Sequence, residues 1–346
     1  MRFGAHYLNT YAASLDGPVS EMYQRLFAHA EAYDALGYDD FWVTEHHFHE
    51  YGGMISAPPV FLAAVARTTQ HIHLGVAVTV LPLHNPLEVA EAYGMLDTIS
   101  QGRLEFGVGR GSTLAEFAPF NVDLTNTAQV MKESTEVIRR AWSGDALSFH
   151  GEVYDYEGVR VLPKPVQRPH PPIWVGASRT DDTFRWAGEN GYHLMTLPYM
   201  YQPEVLQHWI GVYRDALLAH DHDPAQREVL GKFHIYVAES DRAAMDEANR
   251  YLLEYRRIAD SRNGARATRA WDAADLAKEI ERGNVIGGDP AHCIELIHRW
   301  REALGLTTIS GTFHFGGMPD ELALKNVRLF AEKVMPAFAR VGAHRA

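Results

Sequence analysis

Glu45, His46 and His47 follow directly on the apolar run Phe41-Trp42-Val43, and Phe48-His49-Glu50-Tyr51-Gly52-Gly53 comes next. An apolar run that ends so abruptly in ionisable side chains predicts a buried strand emptying its polar residues into a cleft. On an extended backbone Glu45 and His47 point one way and His46 the other, so the adjacent histidines serve different roles. A histidine ordinarily changes charge near neutral pH, so one placed at such a strand end can hold or release a proton during a reaction. The chain has 19 histidines, and ordinary packed or surface pairs are common in such a composition. The surrounding elements decide between the two readings.

Two further stretches could bind an anion. Gly107-Val108-Gly109-Arg110-Gly111-Ser112 offers backbone amides and a guanidinium after an apolar run. It is not a dinucleotide-binding turn, because the third glycine comes too early and helical spacing resumes only near Thr127. Gly176-Ala177-Ser178-Arg179-Thr180-Asp181 runs from an apolar stretch into a helical one. Unpaired amides at a helix start, with hydroxyls around them, suit a phosphate, although Ser178 or Thr180 could equally be a simple cap. His47-Phe48-His49 and His71-Ile72-His73 have the spacing of metal ligands, but further ligands at other strand ends are missing. His71 and His73 stand at the start of their strand, on the opposite rim, and no catalytic metal is expected.

The elements that must hold these residues alternate strand and helix along the chain. Strands are expected over 1–8, from Phe41, and over 72–81, 103–108, 172–175, 192–197, 231–238 and 307–315. Helices are expected over 19–36, 58–68, 87–99, 127–142, 181–190, 203–219, 242–257, 291–303 and 321–338. This rhythm predicts an α/β fold, a (β/α)8 TIM barrel forming a single domain over 1–346. Chemistry on such a barrel collects at the carboxyl ends of the strands, where Glu45, Arg110 and Ser178 fall. Residues 147–172, rich in proline and aromatics, read as an insertion hairpin on the rim. Residues 257–288 are charged, punctuated by Asn263-Gly264 and Gly287-Gly288, and poor in apolar positions beyond Trp271, Leu276 and Ile280. They read as a mobile lid segment.

Composition narrows the partners. A formal charge of −12 and the lack of a long basic run argue against nucleic acid. No apolar run approaches the roughly 18 residues of a membrane span, and the first residues lack a signal-peptide pattern, so a cytoplasmic location is expected. The single cysteine, Cys293, excludes an intrachain disulfide and a thiolate metal cluster.

Taken together, these residues resemble the bacterial-luciferase-like, flavin-dependent monooxygenases. Glu45-His46-His47-Phe48, Leu81-Pro82 with Pro86, Glu91 and Leu96-Asp97, Ser100 with Gly102-Arg103, Phe106-Gly107-Val108 with Arg110-Gly111, and Val334-Met335-Pro336 fall in the family's order. Phe313-His314-Phe315-Gly316-Gly317-Met318-Pro319 is typical of the broader family. The resemblance covers the whole chain and implies a (β/α)8 barrel using reduced FMN (FMNH2) and O2. It implies that Arg110 binds the flavin phosphate, with Gly176, Ala177 and Ser178 contributing amides, and that Ala77-Val78 forms a non-prolyl cis peptide beneath the flavin ring. His46 is implied as the base or hydrogen-bond donor, supported by Glu45 and His47. Where light-emitting members carry a cysteine this chain has Gly109, and where they carry a glutamate it has Ala177; light emission is therefore not expected.

The resemblance further implies a C4a-hydroperoxyflavin that oxygenates a small organic substrate, an aldehyde or ketone, with FMNH2 delivered by a separate NAD(P)H-flavin reductase. Two alternatives belong to the same fold: hydride transfer with the deazaflavin F420, and a non-enzymatic flavin-binding barrel. A homodimer is implied, with Glu91 meeting His47 across subunits. The helix over 58–68 carries Val60, Phe61, Leu62, Ala64 and Val65 as an apolar surface for that contact.

Overall fold

The computed structural model describes residues 1–8, 10–261 and 273–338. In chain order the strands are β1 (Arg2–Tyr7), β2 (Asp40–Val43), β3 (His73–Val80), β4 (Leu104–Gly109), β5 (Leu147–His150), β6 (Asp155–Val159), β7 (Ile173–Gly176), β8 (His193–Thr196), β9 (Val229–Val237), β10 (Val285–Gly288) and β11 (Thr308–Thr312). The helices are α1 (Ala13–Asp16), α2 (Val19–Ala35), α3 (Pro58–Thr68), α4 (Pro86–Ile99), α5 (Leu114–Phe117), α6 (Thr127–Ser143), α7 (Asp181–Glu189), α8 (Pro203–Ala219), α9 (Asp241–Ser261), α10 (Ala273–Glu281), α11 (Pro290–Leu304) and α12 (Asp320–Leu329). Proline opens α3, α4, α8 and α11, where its missing amide hydrogen costs nothing. Asn85 and Asp289 cap α4 and α11 through side-chain oxygens.

Strands β1, β2, β3, β4, β7, β8, β9 and β11 pair in parallel in that order, and β11 returns to β1, closing the expected (β/α)8 barrel. Register makes the interior legible: Asp40, Trp42, Gly75, Glu105, Trp174, Met195, Leu230 and Lys232 alternate with residues packed outward on the helices. At the amino-terminal end Arg2 lies between Asp40, Glu105 at 3.0 Å and Glu228 at 2.8 Å. His73 approaches Glu105 at 3.1 Å and the Trp174 indole donates to it at 2.7 Å. Burial alone would raise the Glu105 carboxyl, but His73, Arg2 and Trp174 outweigh it and hold it at about 2. Above this layer Trp42 and Trp174 meet edge to face at 5.4 Å and pack with Met195 and Leu230 as an apolar plug. Gly75 is required there, since a Cβ would stand 2.1 Å from the Trp42 ring.

Several residues of the recurring pattern turn out to be joints. Arg103 donates to the carbonyls of Ala66, Thr69 and Ile72, fastening the α3 to β3 turn onto β4. Asp97 accepts from the amides of Val166 at 2.7 Å and Gln167 at 3.0 Å, holding the rim insertion. That insertion is the antiparallel hairpin β5–β6, and Glu133 on α6 receives the amides of Glu152, Val153 and Tyr154 at its turn.

Two expectations are corrected. The segment 257–288 is not one excursion: α9 continues through its first residues, and β10 pairs in parallel with β9 beyond the end of β8, with Val285 and Ile286 buried. A four-residue strand ending in two glycines is too short to show periodicity. Trp271 lies outside the described residues, as does the middle of the expected lid, over 262–272. On α3, Phe61, Leu62 and Val65 face the core, while Val60 and Ala64 are exposed, so the helix presents a narrow stripe and not a broad apolar surface.

Candidate active site

β2 ends at Val43, and the chain leaves the barrel carrying Glu45, His46 and His47 over its carboxyl-terminal mouth. The expected divergence of the two histidines is present. Glu45 is buried; one oxygen receives His47 Nε2 at 3.0 Å and His84 Nε2 at 2.7 Å, and the other receives the Val80 amide at 3.1 Å. Burial would raise this carboxyl, but those hydrogen bonds outweigh it and keep it below its usual range. Burial likewise works against the His84 imidazolium, yet Glu45 raises its pKa overall.

His46 turns the other way. Its Nδ1 lies 2.8 Å from Glu116 on α5, an oxygen that also receives His49 Nε2 at 2.6 Å and the His47 amide at 3.2 Å. Glu116 is held below its usual range, because these donors outweigh its burial. Ionised Glu116 accepts from Nδ1–H, so whenever the His46 ring is neutral its lone pair is on Nε2. Either carboxylate trio could also hold a cation, since its donor atoms lie within 4.8 Å of one another, but hydrogen bonding already accounts for both. Glu116 and His84 were invisible in sequence. Neither has periodicity or motif spacing, and only the folding of α5 and of the loop after β3 brings them to the histidines.

The peptide Ala77-Val78 is cis. Most of β3 is buried, yet these two residues are only partly buried, packed on the Trp42–Trp174 plug at the mouth. Gly109 and Gly176 flank Val78; a Cβ on either would come within 2.3 or 2.7 Å of its methyl groups. The neighbouring strands β4 and β7 end beside each other, with Val108 paired to Val175, so Arg110 and Ser178 leave adjacent strand ends. Arg110 is exposed and has no side-chain partner among the described residues. Ala177 is buried, its amide donating to the Met195 carbonyl at 3.0 Å. Thr180, at the start of α7, makes no side-chain cap, so that alternative for the Ser178 loop is not realised.

The far side of the mouth holds residues the sequence did not single out. His6, Lys232, His234, Ser310 and Thr312 are buried on β1, β9 and β11. Of the aromatics read as pocket or core, Tyr199 lies under Lys232 at 5.2 Å and edge-on to His234 at 5.7 Å, whereas Tyr201 packs on Trp209 and Phe313 is core. A cavity of about 570 Å³ lined by Arg139, His170 and His193 opens at the other rim, where β7 and β8 begin, away from all these groups.

Comparison with known proteins gives this arrangement its family. Residues 1–308 match the model of the luciferase-like monooxygenases, and the chain belongs to that family. It is 28% identical to the oxygenase component of a flavin-dependent trigonelline monooxygenase from Acinetobacter baylyi, over 92% of this chain and 91% of that one. It is 26% identical to the alkanal monooxygenase alpha chain of the Kryptophanaron alfredi symbiont, over 97% and 98% of the two chains. Among solved structures, the monooxygenase RslO1 from Streptomyces bottropensis superposes with a TM-score of 0.89 at 29% identity, covering 98% of this chain and all of that one. The fold alone is shared, at 18% identity and a TM-score of 0.72, with a coenzyme F420 dependent tetrahydromethanopterin reductase from Methanopyrus kandleri, over 98% of this chain and 99% of that one.

Proposed function

We propose that this protein is the oxygenating component of a two-component system, using reduced FMN and O2 to oxygenate a small aldehyde or ketone. The observation that carries this reading is the partly buried Ala77-Val78 platform, set between glycines and bounded by the His46–Glu116 pair on β2's side and by Arg110 and Ser178 on the other. A planar ring system can lie flat on such an apolar step, and Gly109 and Gly176 leave room at its edge. Arg110 and the Ser178 loop hold the phosphate. Bound reduced FMN supplies two electrons, so that one atom of O2 enters the substrate and the other leaves as water.

The remaining chemistry belongs to the chain. His46, oriented through Nδ1 by Glu116, presents Nε2 to take or return a proton at the substrate oxygen. Glu45, His47 and His84 form a fixed wall behind it, and Tyr51, with its hydroxyl 3.0 Å from that of Tyr255, helps exclude water. A separate NAD(P)H-flavin reductase would deliver FMNH2; the trigonelline relative's designation as an oxygenase component supports that division. No helix among the described residues is long and apolar enough to cross a membrane. A cytoplasmic homodimer is proposed on the family resemblance, joined through the exposed stripe of Val60 and Ala64, with Glu91 of α4 exposed nearby.

Arg110→Ala should weaken FMNH2 binding about tenfold to a hundredfold, the value of a charge-assisted contact to phosphate. Unchanged affinity would remove Arg110 from the site. Tighter binding of reduced F420 than of reduced FMN would replace oxygenation by hydride transfer. Substrate-dependent O2 consumption, screened over aldehydes and ketones with a supplied reductase, separates an enzyme from a flavin-binding barrel, and light scattering at micromolar concentration tests the dimer.

A further inference from the structure

Register places five polar side chains on one continuous stretch of inner wall across β1, β11 and β9. Ser310 stands beside Lys232 and Thr312 beside His234, and His6 projects inward from the adjoining strand. All five residues are buried. Their hydrogen-bonding atoms are mostly unused: Lys232 Nζ, both ring nitrogens of His234, His6 Nδ1, Ser310 Oγ and Thr312 Oγ1 have no hydrogen-bond partner among the described residues. Only His6 Nε2 is engaged, 3.0 Å from the Thr44 hydroxyl. Leaving one such group dry and unpaired ordinarily costs about 1 to 3 kcal/mol, so six such atoms on a single wall imply a ligand that satisfies them.

The charge on this wall selects the ligand. No carboxylate among the described residues pairs with Lys232; beside His6 and His234 it meets the Tyr199 ring at 5.2 Å and the charge of Arg256 on α9, which itself lies 4.0 Å from Glu279. A neutral carbonyl would satisfy a hydroxyl but leave a buried ammonium uncompensated, whereas an anionic oxygen answers both needs. The wall is also tied to the proposed proton-handling residue. His46 lies 5.8 Å from Tyr51, Tyr51 5.8 Å from Tyr255, and Tyr255 4.5 Å from His234, ring to ring. The flavin phosphate is an unsuitable occupant, because Arg110 and Ser178 leave β4 and β7, with β8 standing between them and β9.

We propose that the substrate is an organic anion, a carboxylate or an ionised enol, whose charged oxygen is received by Lys232 with His234, Ser310 and Thr312, so that its reacting carbon is presented toward His46. This rests on the oxygenase reading only in taking the mouth as the place where substrate binds. Burial, and then Arg256, push the Lys232 ammonium down to about 7. His6 and His234 are held well below the usual histidine range, by burial first, and stay neutral. Among the described residues, the groups around the ammonium are therefore two neutral imidazoles, two hydroxyls, the Tyr199 ring and the Arg256 cation, behind which stands its partner Glu279 at 4.0 Å. Anion affinity should fall as pH rises through and above the Lys232 value, while affinity for a neutral ligand should not.

The test is calorimetric titration of the full chain, with and without FMN, using benzoate against benzamide and 5,5-dimethyl-1,3-cyclohexanedione, which ionises as an enol, against 3,3-dimethylcyclohexanone. One anion should bind at least about tenfold tighter than its neutral partner, and its identity tells a carboxylate from an enolate source. Lys232→Met should lose about tenfold to a hundredfold of that affinity, with benzamide, cyclohexanone and FMN affinities unchanged. A thermal melt of the variant checks that it is folded, and the pH dependence of the wild-type protein provides a readout free of any substitution. Equal or absent binding of both anions, retained anion affinity in Lys232→Met, or loss of FMN affinity in that variant would each overturn the proposal. Failure of the wild-type protein to bind reduced FMN would instead sink the oxygenase reading, and the anion comparison is read without flavin.

Discussion

The two ends of the barrel interior are both polar and both buried, yet they are built on opposite rules. At the amino-terminal end Arg2, Asp40, Glu105, Glu228, His73 and the Trp174 indole answer one another within a single network. At the mouth Lys232 Nζ, both His234 ring nitrogens, Ser310 Oγ and Thr312 Oγ1 have no partner among the described residues, whereas at the other end Arg2 Nε, Asp40 Oδ2 and His73 Nδ1 lack a hydrogen bond but sit on side chains tied into that network by ion pairs. The difference is that the lower groups answer one another's charge, while the Lys232 side of the mouth has no carboxylate among the described residues to do so. The carboxylate trios on Glu45 and Glu116 stand between these cases, matched internally but placed at the mouth.

The sharpest way to break this contrast is at Arg2. Arg2→Met leaves Asp40 and Glu105 buried without their cation and should destabilise the chain by about 3 to 5 kcal/mol in denaturant titrations. A loss below about 1 kcal/mol would make the lower network dispensable. Glu116→Gln should behave differently, lowering oxygenation about tenfold to a hundredfold through loss of His46 orientation, with a shifted pH–rate profile and an unchanged melt. If stability falls as it does for Arg2, Glu116 is architecture and not a positioning residue.

Lys232→Met should raise stability by about 1 to 3 kcal/mol, since it removes an unpaired buried ionisable group. The unfolded chain holds the lysine proton up to the usual lysine range, whereas the folded one releases it at about 7. Between those values the unfolded state binds more protons, so wild-type stability rises with pH there, and the variant should lose that slope. The smallest effect has the opposite origin. Glu105 is held at about 2 when folded; its contribution is complete above its ordinary unfolded value and is lost as pH falls through the folded one. Glu105→Gln should flatten the acid limb of the stability profile, and an unaltered limb would detach Glu105 from Arg2 and His73.

Much of the scaffold was legible because α/β barrels write themselves as apolar strand runs alternating with 3.6-spaced helices. Helix α3 coincided with its expected bounds, and most strands came within two residues. Burial direction was less legible: Phe61, Leu62 and Val65 read as a surface but form core, because composition does not say which side of a helix meets the barrel. β10 escaped for want of length. At the candidate site, Glu45, His46 and His47 stand out in the sequence by an abrupt change from apolar to ionisable residues, and Arg110 by the glycine turn around it. Glu116 and His84 do not, since their meaning comes entirely from contacts across the fold, and Lys232 passes as one polar residue in an apolar run.

The Trp42–Trp174 pair has a consequence for traffic. With Met195 and Leu230 it fills the barrel midway, all four being buried. On the proposed reading, whatever binds at the mouth would come and go on the carboxyl-terminal side of that plug, and a smaller residue at Trp42 would open the floor beneath it.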